Sequence, residues 1–393
     1  MIKNRFLLFV IFYIFTIISL FFYSFTQVDL NLTLSKSSKI QELEKAFIQI
    51  GYFNRPLSTT IFIILIILLF MAYFIILSLV YKKIIPRRHI WILIIVTTIL
   101  LLFSYPAFSH DIFNYMFWAR IFTHYGLSPY QFRALDFPAD TWTRFMHWTH
   151  TTYNHGPLYL IISFIPSFLG LNKFVLTLMN FKLLNIGAYL GSIFFINKIT
   201  KKIDNQHNLL AVSFFAFNPV VIIESLVSAH NDILMLFLAL ISIYFLISKK
   251  YIASFVFLIL SAGIKFVTII FVPLYIYFLL KKKEDFNMLL KLTIVFYLIG
   301  LIPLIYQREP YPWYFIPLIG FASLSFKDYF IRLIFIGLSC GLLLRYAPYL
   351  FFGDYKPPVP LITLWLTIAA LVISILVWII SQLHTFKIFK EET

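Results

Sequence analysis

Long apolar runs, separated by short and mostly basic breaks, make up nearly the whole chain. A helix needs about 20 apolar residues to cross a hydrocarbon layer. The pattern predicts such helices over roughly 6–25, 58–81, 90–108, 174–197, 209–229, 232–248, 287–305, 315–326, 329–346 and 361–381. The run 251–280 is broken at Gly263-Ile264-Lys265 and predicts two short helices that meet there. The run 157–171 is short for a span and carries Pro157, Pro166 and Gly170. It predicts a re-entrant segment, a backbone tolerated at membrane depth only where protein or a cavity surrounds it. The expected fold is therefore all-α: a polytopic transmembrane bundle of about 12 spans, with that re-entrant segment and an interfacial helix at 111–125. Residues 1–393 read as one integral membrane domain, with a further helical patch at Lys39–Ile50.

Charge then orients the bundle. Basic clusters stand at Lys3/Arg5, at 82–89, at Lys198–Lys202, at Lys249-Lys250, at Lys281–Lys283 and at Lys387/Lys390. If 157–171 does not cross, all of them fall on one side, which places both termini in the cytoplasm. The net charge of +16 would suggest nucleic acid in a soluble protein. With 61% hydrophobic and only 12% charged residues, the clusters instead suit anionic membrane lipids, and no nucleic-acid partner is expected. The lone Cys340 excludes an internal disulfide. The first run lacks a small-residue cleavage site and reads as a retained helix rather than a secretion signal.

Polar outliers in an apolar chain are costly and mark function. Under this topology they gather on the extracytoplasmic side: Asp111, His155, His230, Asn231, Asp232, Arg308, Glu309 and Trp313, with Glu224 and Lys265 slightly deeper. In DIFNYMFWARIFTHYGLSPY, 111–130, helical spacing puts Asp111, Tyr115, Trp118, Phe122 and Tyr125 on one stripe. A carboxylate flanked by aromatic faces suits a sugar, with the carboxylate as base removing a hydroxyl proton while a ring face stacks on the sugar's C–H surface. The plainer reading of Asp111 is a helix N-cap. Arg120 falls on the opposite face of that helix and suits a lipid headgroup, while Tyr130 closes the stretch after the Gly126/Pro129 turn. In WTHTTYNHGP, 148–157, Trp148 and His155 form either a binding rim or an aromatic belt.

In FNPVVIIESLVSAHND, 217–232, Asn218-Pro219 breaks a helix and Glu224 is buried without a local partner. His230 and Asp232 are two adjacent ligand types without a third, so turn formation and phosphate contact are the stronger reading and no metal is expected. Lys265 must snorkel, pair with Glu224, or meet an anion. Arg308 lies beside Trp313 and Tyr314, and Lys182 is a second buried cation with no partner evident from sequence. There is no P-loop, dinucleotide fingerprint, zinc motif or nucleophile elbow. An activated group reaching an outward site would have to arrive on a lipid.

These stretches resemble the polytopic GT-C glycosyltransferases, and within them the polyprenol-phosphomannose-dependent α-1,6-mannosyltransferases. The matching pieces are 111–130, W…YNHGPLY at 148–159, FNPVVIIESLVSAHNDILM at 217–235, SAGIKFVTIIFVPL at 261–274 and PWYFIPL at 312–318, all in the family's order. Phe266 stands where the family pattern has proline, and the chain is short for the family. The resemblance implies that Asp111 is the catalytic base and that a polyprenyl-phosphate sugar enters from the lipid without a cofactor. It also implies that His230, Asn231, Asp232 and Lys265 surround the donor. The acceptor would be a glycolipid or glycan hydroxyl at the outer face of the cell membrane. A lipid or solute transporter that uses Glu224 and Lys265 as a coupling pair is the alternative.

Overall fold

In a computed structural model, residues 2–30, 32, 36–281 and 285–391 are described, and every regular element among them is helical. Lys282 and Lys283 of the fifth basic cluster lie outside the described residues. Among the described residues, six helices are long and apolar enough to cross a membrane: Phe6–Gln27, Arg55–Tyr81, Phe174–Ile203, Phe286–Gln307, Tyr329–Phe352 and Val359–Leu383. A seventh candidate is the pair Asn208–Ala216 and Pro219–Val227, bent by 54°. Shorter apolar helices run over Pro157–Leu169, Asp232–Ile247, Tyr251–Ile264, Phe266–Leu280 and Pro312–Leu324.

The long helices are apolar all round, and their outer faces expose Ile63, Ile67, Met71 and Phe74, or Leu361, Trp365 and Ile373. Apolar surface of that extent suits a lipid solvent rather than water. The centre is different in kind. Every residue from Leu210 to Leu236 is buried, so the bent pair and the start of Asp232–Ile247 form the axis on which the other helices pack. That buried segment is also where Glu224, His230, Asn231 and Asp232 lie.

Helices inside this core stop early, and each stop has a cause. The helix expected over 90–108 runs only over Arg87–Leu102. Pro106 disfavours the helical backbone just ahead of it, and Lys182 Nζ takes the freed carbonyls of Leu101 and Ser104 at 2.8 and 2.5 Å, with Ser104 Oγ at 2.8 Å. The partner of Lys182 is thus a helix C-terminus, where a cation is favoured. At the bend, Asn218 Oδ1 accepts from the backbone N–H groups of Val220 and Val221 at 3.0 and 3.4 Å, capping the helix that Pro219 starts. The expected patch at Lys39–Ile50 is the helix Ser38–Ile48, and the turn expected from Arg345 to Pro360 contains a further helix, Tyr346–Phe352.

The break at Gly156-Pro157 meets the break at Gly263-Ile264-Lys265. The Gly156 backbone N–H donates to the Ile264 carbonyl at 3.0 Å. A Cβ on Gly156 would sit 2.2 Å from the Gly263 carbonyl oxygen, and backbone cannot yield as a side chain can. Gly156→Ala is expected to cost about 1–3 kcal/mol, as overpacking does. Gly187→Ala, facing open space in a helix, is expected to be neutral or stabilising by up to about 1 kcal/mol. Thermal unfolding of the two variants in detergent checks the contrast.

Candidate functional site

Asp111 opens the helix Asp111–Thr123, whose N-cap is His110. Its carboxylate makes no capping bond, so the plainer reading of this residue does not describe what it touches. Instead the Trp148 indole N–H donates to Oδ1 at 3.2 Å, and His230 Nδ1 stands 3.8 Å from Oδ2. Trp148 is positioned in turn by Asn114, whose amide donates to the Trp148 carbonyl at 3.2 Å. The Asp111 side chain is 22% exposed, so it is reachable while largely shielded from water. Burial raises its pKa to about 6, against the opposing pull of Lys265, the Trp148 hydrogen bond and Arg308. A carboxylate in that range is a usable base near neutral pH.

The helix packs deep among its neighbours: Ile112–Ala119 and Ile121 are all buried. The expected aromatic stripe also divides. Tyr115 and Trp118 pack edge-on or tilted around His155, at 5.3 and 5.5 Å between centroids. Phe122 stacks on Phe164, and Tyr125 lies beyond the helix and donates to Asp140 Oδ2 at 2.7 Å. Burial, then Lys265 and Arg308, hold the His155 pKa well below the usual value, so the ring is neutral.

His230 sits at the centre of the cluster, fully buried, and stacks on Trp313 with centroids 4.0 Å apart. Trp313 also stacks on Tyr311 at 4.5 Å. The other ring nitrogen, Nε2, faces Glu224 Oε2 at 3.4 Å, and the Tyr346 hydroxyl donates to Glu224 Oε1 at 2.8 Å. Burial, followed by the charge of Lys265, holds the His230 pKa well below its usual value, which keeps the imidazole neutral. The local backbone is specialised: residues 223–227 form a π-turn, and Ala229 is left-handed at φ 58°. A π-turn inside a helix commonly marks a functional site. A left-handed alanine is unfavourable, and Asn185 compensates by donating its amide to the Ala229 carbonyl at 2.9 Å.

Lys265 pairs with Asp232, Nζ to Oδ2 at 2.6 Å, and not with Glu224. The coupling pair that a transporter reading requires is therefore not formed. Lys265 also lies over the Tyr314 ring at 5.5 Å, and Tyr314 interacts with Arg308. Glu309 is tied to Arg345 at 2.6 Å, which anchors the 307–314 loop to the bundle. Next to these groups the hydroxyls of Tyr115 and Tyr159 and both side-chain polar atoms of Asn231 are buried without hydrogen-bond partners. Buried polar atoms left unpaired are expensive, and hydroxyls of a bound molecule would satisfy them. Among the described residues, no group of three or more His, Cys, Asp or Glu is arranged to hold a metal ion.

Of the residues singled out in sequence, the structure gathers Asp111, Tyr115, Trp148, His155, Glu224, His230, Asp232, Lys265, Arg308, Trp313 and Tyr314 into one network, with Asn231 in the loop between His230 and Asp232. It does not bring in Arg120, which is held by Asp140 at 2.6 Å, bonds Asn172 and lies over Trp142 at 4.3 Å. Tyr130 is half exposed and meets the network only edge-on through Tyr153. Sequence reasoning passed over Tyr159, Asn185 and Tyr346. Asn185 did leave a signal, one turn from Lys182 in the same apolar helix.

Removing one partner of a buried ion pair strands the other. With Asp232 1% exposed and Lys265 15% exposed, Lys265→Met is expected to destabilise by about 3–5 kcal/mol. The double change Lys265→Met/Asp232→Leu should recover most of that loss, as thermal melting in detergent would register.

The family described as alpha-(1->6)-mannopyranosyltransferase, N-terminal domain, matches this sequence over residues 29–281. The chain is also similar to alpha-(1->6)-mannopyranosyltransferase A of Corynebacterium glutamicum, at 24% identity over 174 residues. That alignment covers 44% of this chain and 35% of the relative, so the match spans about a third of the relative's length. No solved structure matches the chain.

Proposed function

Because the chain belongs to the alpha-(1->6)-mannopyranosyltransferase family, we propose that it transfers mannose from a polyprenyl-phosphate-linked donor to a hydroxyl of a lipid or glycan acceptor. The observation that carries this reading is Asp111: a part-buried carboxylate with a pKa of about 6, set in one cluster with two cations and unpaired polar groups. In the proposed reaction Asp111 removes the acceptor proton, and the acceptor oxygen attacks the anomeric carbon. The bond from that carbon to the phosphate oxygen breaks with its electron pair, and the configuration inverts in the single displacement. Lys265 and Arg308 stabilise the leaving phosphate charge. Tyr115, Tyr159 and Asn231 are the groups best suited to the sugar hydroxyls, and Trp148 orients the base.

The site would open on the extracytoplasmic face, with both termini cytoplasmic and about 12 crossings when the shorter apolar helices are counted. Soluble nucleotide sugars are not supplied there, which favours a lipid-borne donor.

The test is transfer of labelled mannose from polyprenyl-phosphate mannose to a mixed glycolipid pool in proteoliposomes. Asp111→Asn should lower kcat on the order of 10²- to 10⁴-fold while donor binding persists. Failure of wild type to transfer mannose would sink the proposal. The base acts only when ionised, so kcat/KM of wild type should fall as pH drops through about 6. A rate that stays flat down to pH 4.5 would exclude Asp111 as the group being titrated.

A further inference from the structure

The mannosyl-transfer reading gives the acceptor a base but no surface to rest on, and two loops near Asp111 supply one. On the first, Tyr311 stacks on Trp313 with centroids 4.5 Å and planes 5° apart, and Trp313 stacks on His230 at 4.0 Å. Tyr311 is therefore the outer ring of a stack that begins in the buried core. It lies within electrostatic reach of the Asp111 carboxylate. On the second loop, Tyr355 stacks on Tyr349 at 4.6 Å and 19°. Tyr355 is 54% exposed, so the face turned away from Tyr349 is open. Tyr311 and Tyr355 are in turn within electrostatic reach of each other.

Both rings sit on ordered supports. Glu309, two residues before Tyr311, pairs with Arg345 at 2.6 Å, and Arg345 begins the helix Tyr346–Phe352 that leads to Tyr355. One ion pair thus ties the two loops into a common frame. Gly353 turns the chain at φ 82°, a left-handed backbone that favours glycine. The Arg55 guanidinium packs against that turn, so closely that a Cβ on Gly353 would lie 2.4 Å from its Cζ. The Asp354 carboxylate then accepts from the Lys356 backbone N–H at 3.0 Å, a local turn that holds the residues on either side of Tyr355. Groups already held in place lose little freedom when a ligand arrives.

We propose that Tyr311 and Tyr355 form an acceptor subsite, which stacks the sugars beyond the one whose hydroxyl is attacked at Asp111. An aromatic ring carries partial negative charge on its faces, which suits the weakly positive C–H groups on the flat side of a pyranose. Charged groups border both rings: Glu309 near Tyr311, with its side chain 37% exposed, and the exposed Asp354 and Lys356 beside Tyr355. Carboxylates accept and an ammonium donates, which is what the hydroxyls at a sugar's edge require. A lipid tail would use the rings but not that border, so the favoured occupant is a glycan of two or more sugars. Both rings lie past residue 281, where the family match ends. The inference rests on the mannosyl-transfer reading and adds the class of acceptor to it.

The test compares two acceptors in proteoliposomes that contain polyprenyl-phosphate mannose: octyl mannoside and octyl α-1,6-mannobioside, with the mixed glycolipid pool alongside. The readout is the ratio of kcat/KM for the disaccharide to that for the monosaccharide. Wild type should prefer the disaccharide. Tyr355→Ala should lower the ratio about 2- to 10-fold, the worth of one aromatic contact, mainly through the disaccharide KM. Tyr355→Phe should keep the wild-type ratio, because stacking needs the ring and not the hydroxyl. If Tyr355→Ala does not fold, Tyr355→Leu carries the same test, since it still covers Tyr349 but offers no flat face. A wild type without preference for the disaccharide overturns the subsite. So does a Tyr355→Ala that matches wild type, or one that loses both acceptors equally, since the ring then only supports its loop. Transfer by wild type to the pool but to neither octyl glycoside also removes the subsite, while the reading of the reaction stands. No transfer to any acceptor removes the reaction and this inference together.

Discussion

A helix that ends inside an apolar interior leaves carbonyls and N–H groups with nowhere to go, and the clustering of polar side chains in this protein depends on how those ends are satisfied. Lys182 closes the end at Leu101 and releases the eight residues that lead to Asp111. Asn218 starts the short helix that carries Glu224, and Asn185 supports the left-handed turn that presents His230. Each of these side chains is buried and is occupied by backbone. Intact helices would fill the same volume with better packing, but they would place no acid, imidazole or cation within reach of one another.

Such an interior holds little net positive charge in reserve. Asp111, Glu224 and Asp232 bring three carboxyl groups into one buried region, against Lys265 inside it and Arg308 at its exposed rim. One acid is matched closely, Asp232 by Lys265 at 2.6 Å. The other two are supported by neutral donors, the indole of Trp148 and the phenol of Tyr346, which lower the cost of a charge without cancelling it. The ion pair holds the break at Lys265 in place, while the other two carboxyls have no Lys or Arg within ion-pair distance among the described residues.

Much of the architecture was legible because hydrophobic run length is a direct consequence of bilayer thickness. The runs at 58–81, 174–197 and 287–305 reappear as Arg55–Tyr81, Phe174–Ile203 and Phe286–Gln307. The breaks at Gly156-Pro157, Asn218-Pro219 and Gly263–Lys265 were legible too, since proline and glycine act through local backbone sterics. What sequence could not supply was pairing across the bundle. Lys265 has Glu224 and Asp232 at comparable separations along the chain, and only the packing of three helices decides for Asp232. Likewise nothing near Glu224 points to Tyr346, more than a hundred positions away. Arg120 is the converse case: its position in an active-looking stretch is real, but its charge is spent on Asp140.

The contact between Gly156 and Gly263 has a mechanical consequence. Two breaks in separate helices touch backbone to backbone, with the Ile264 carbonyl bonded to the Gly156 N–H. No side chain lies between them to absorb a displacement. The segments that carry His155 and Lys265 therefore behave as a single lever. A displacement of Pro157–Leu169 is therefore passed directly to the backbone on either side of Lys265.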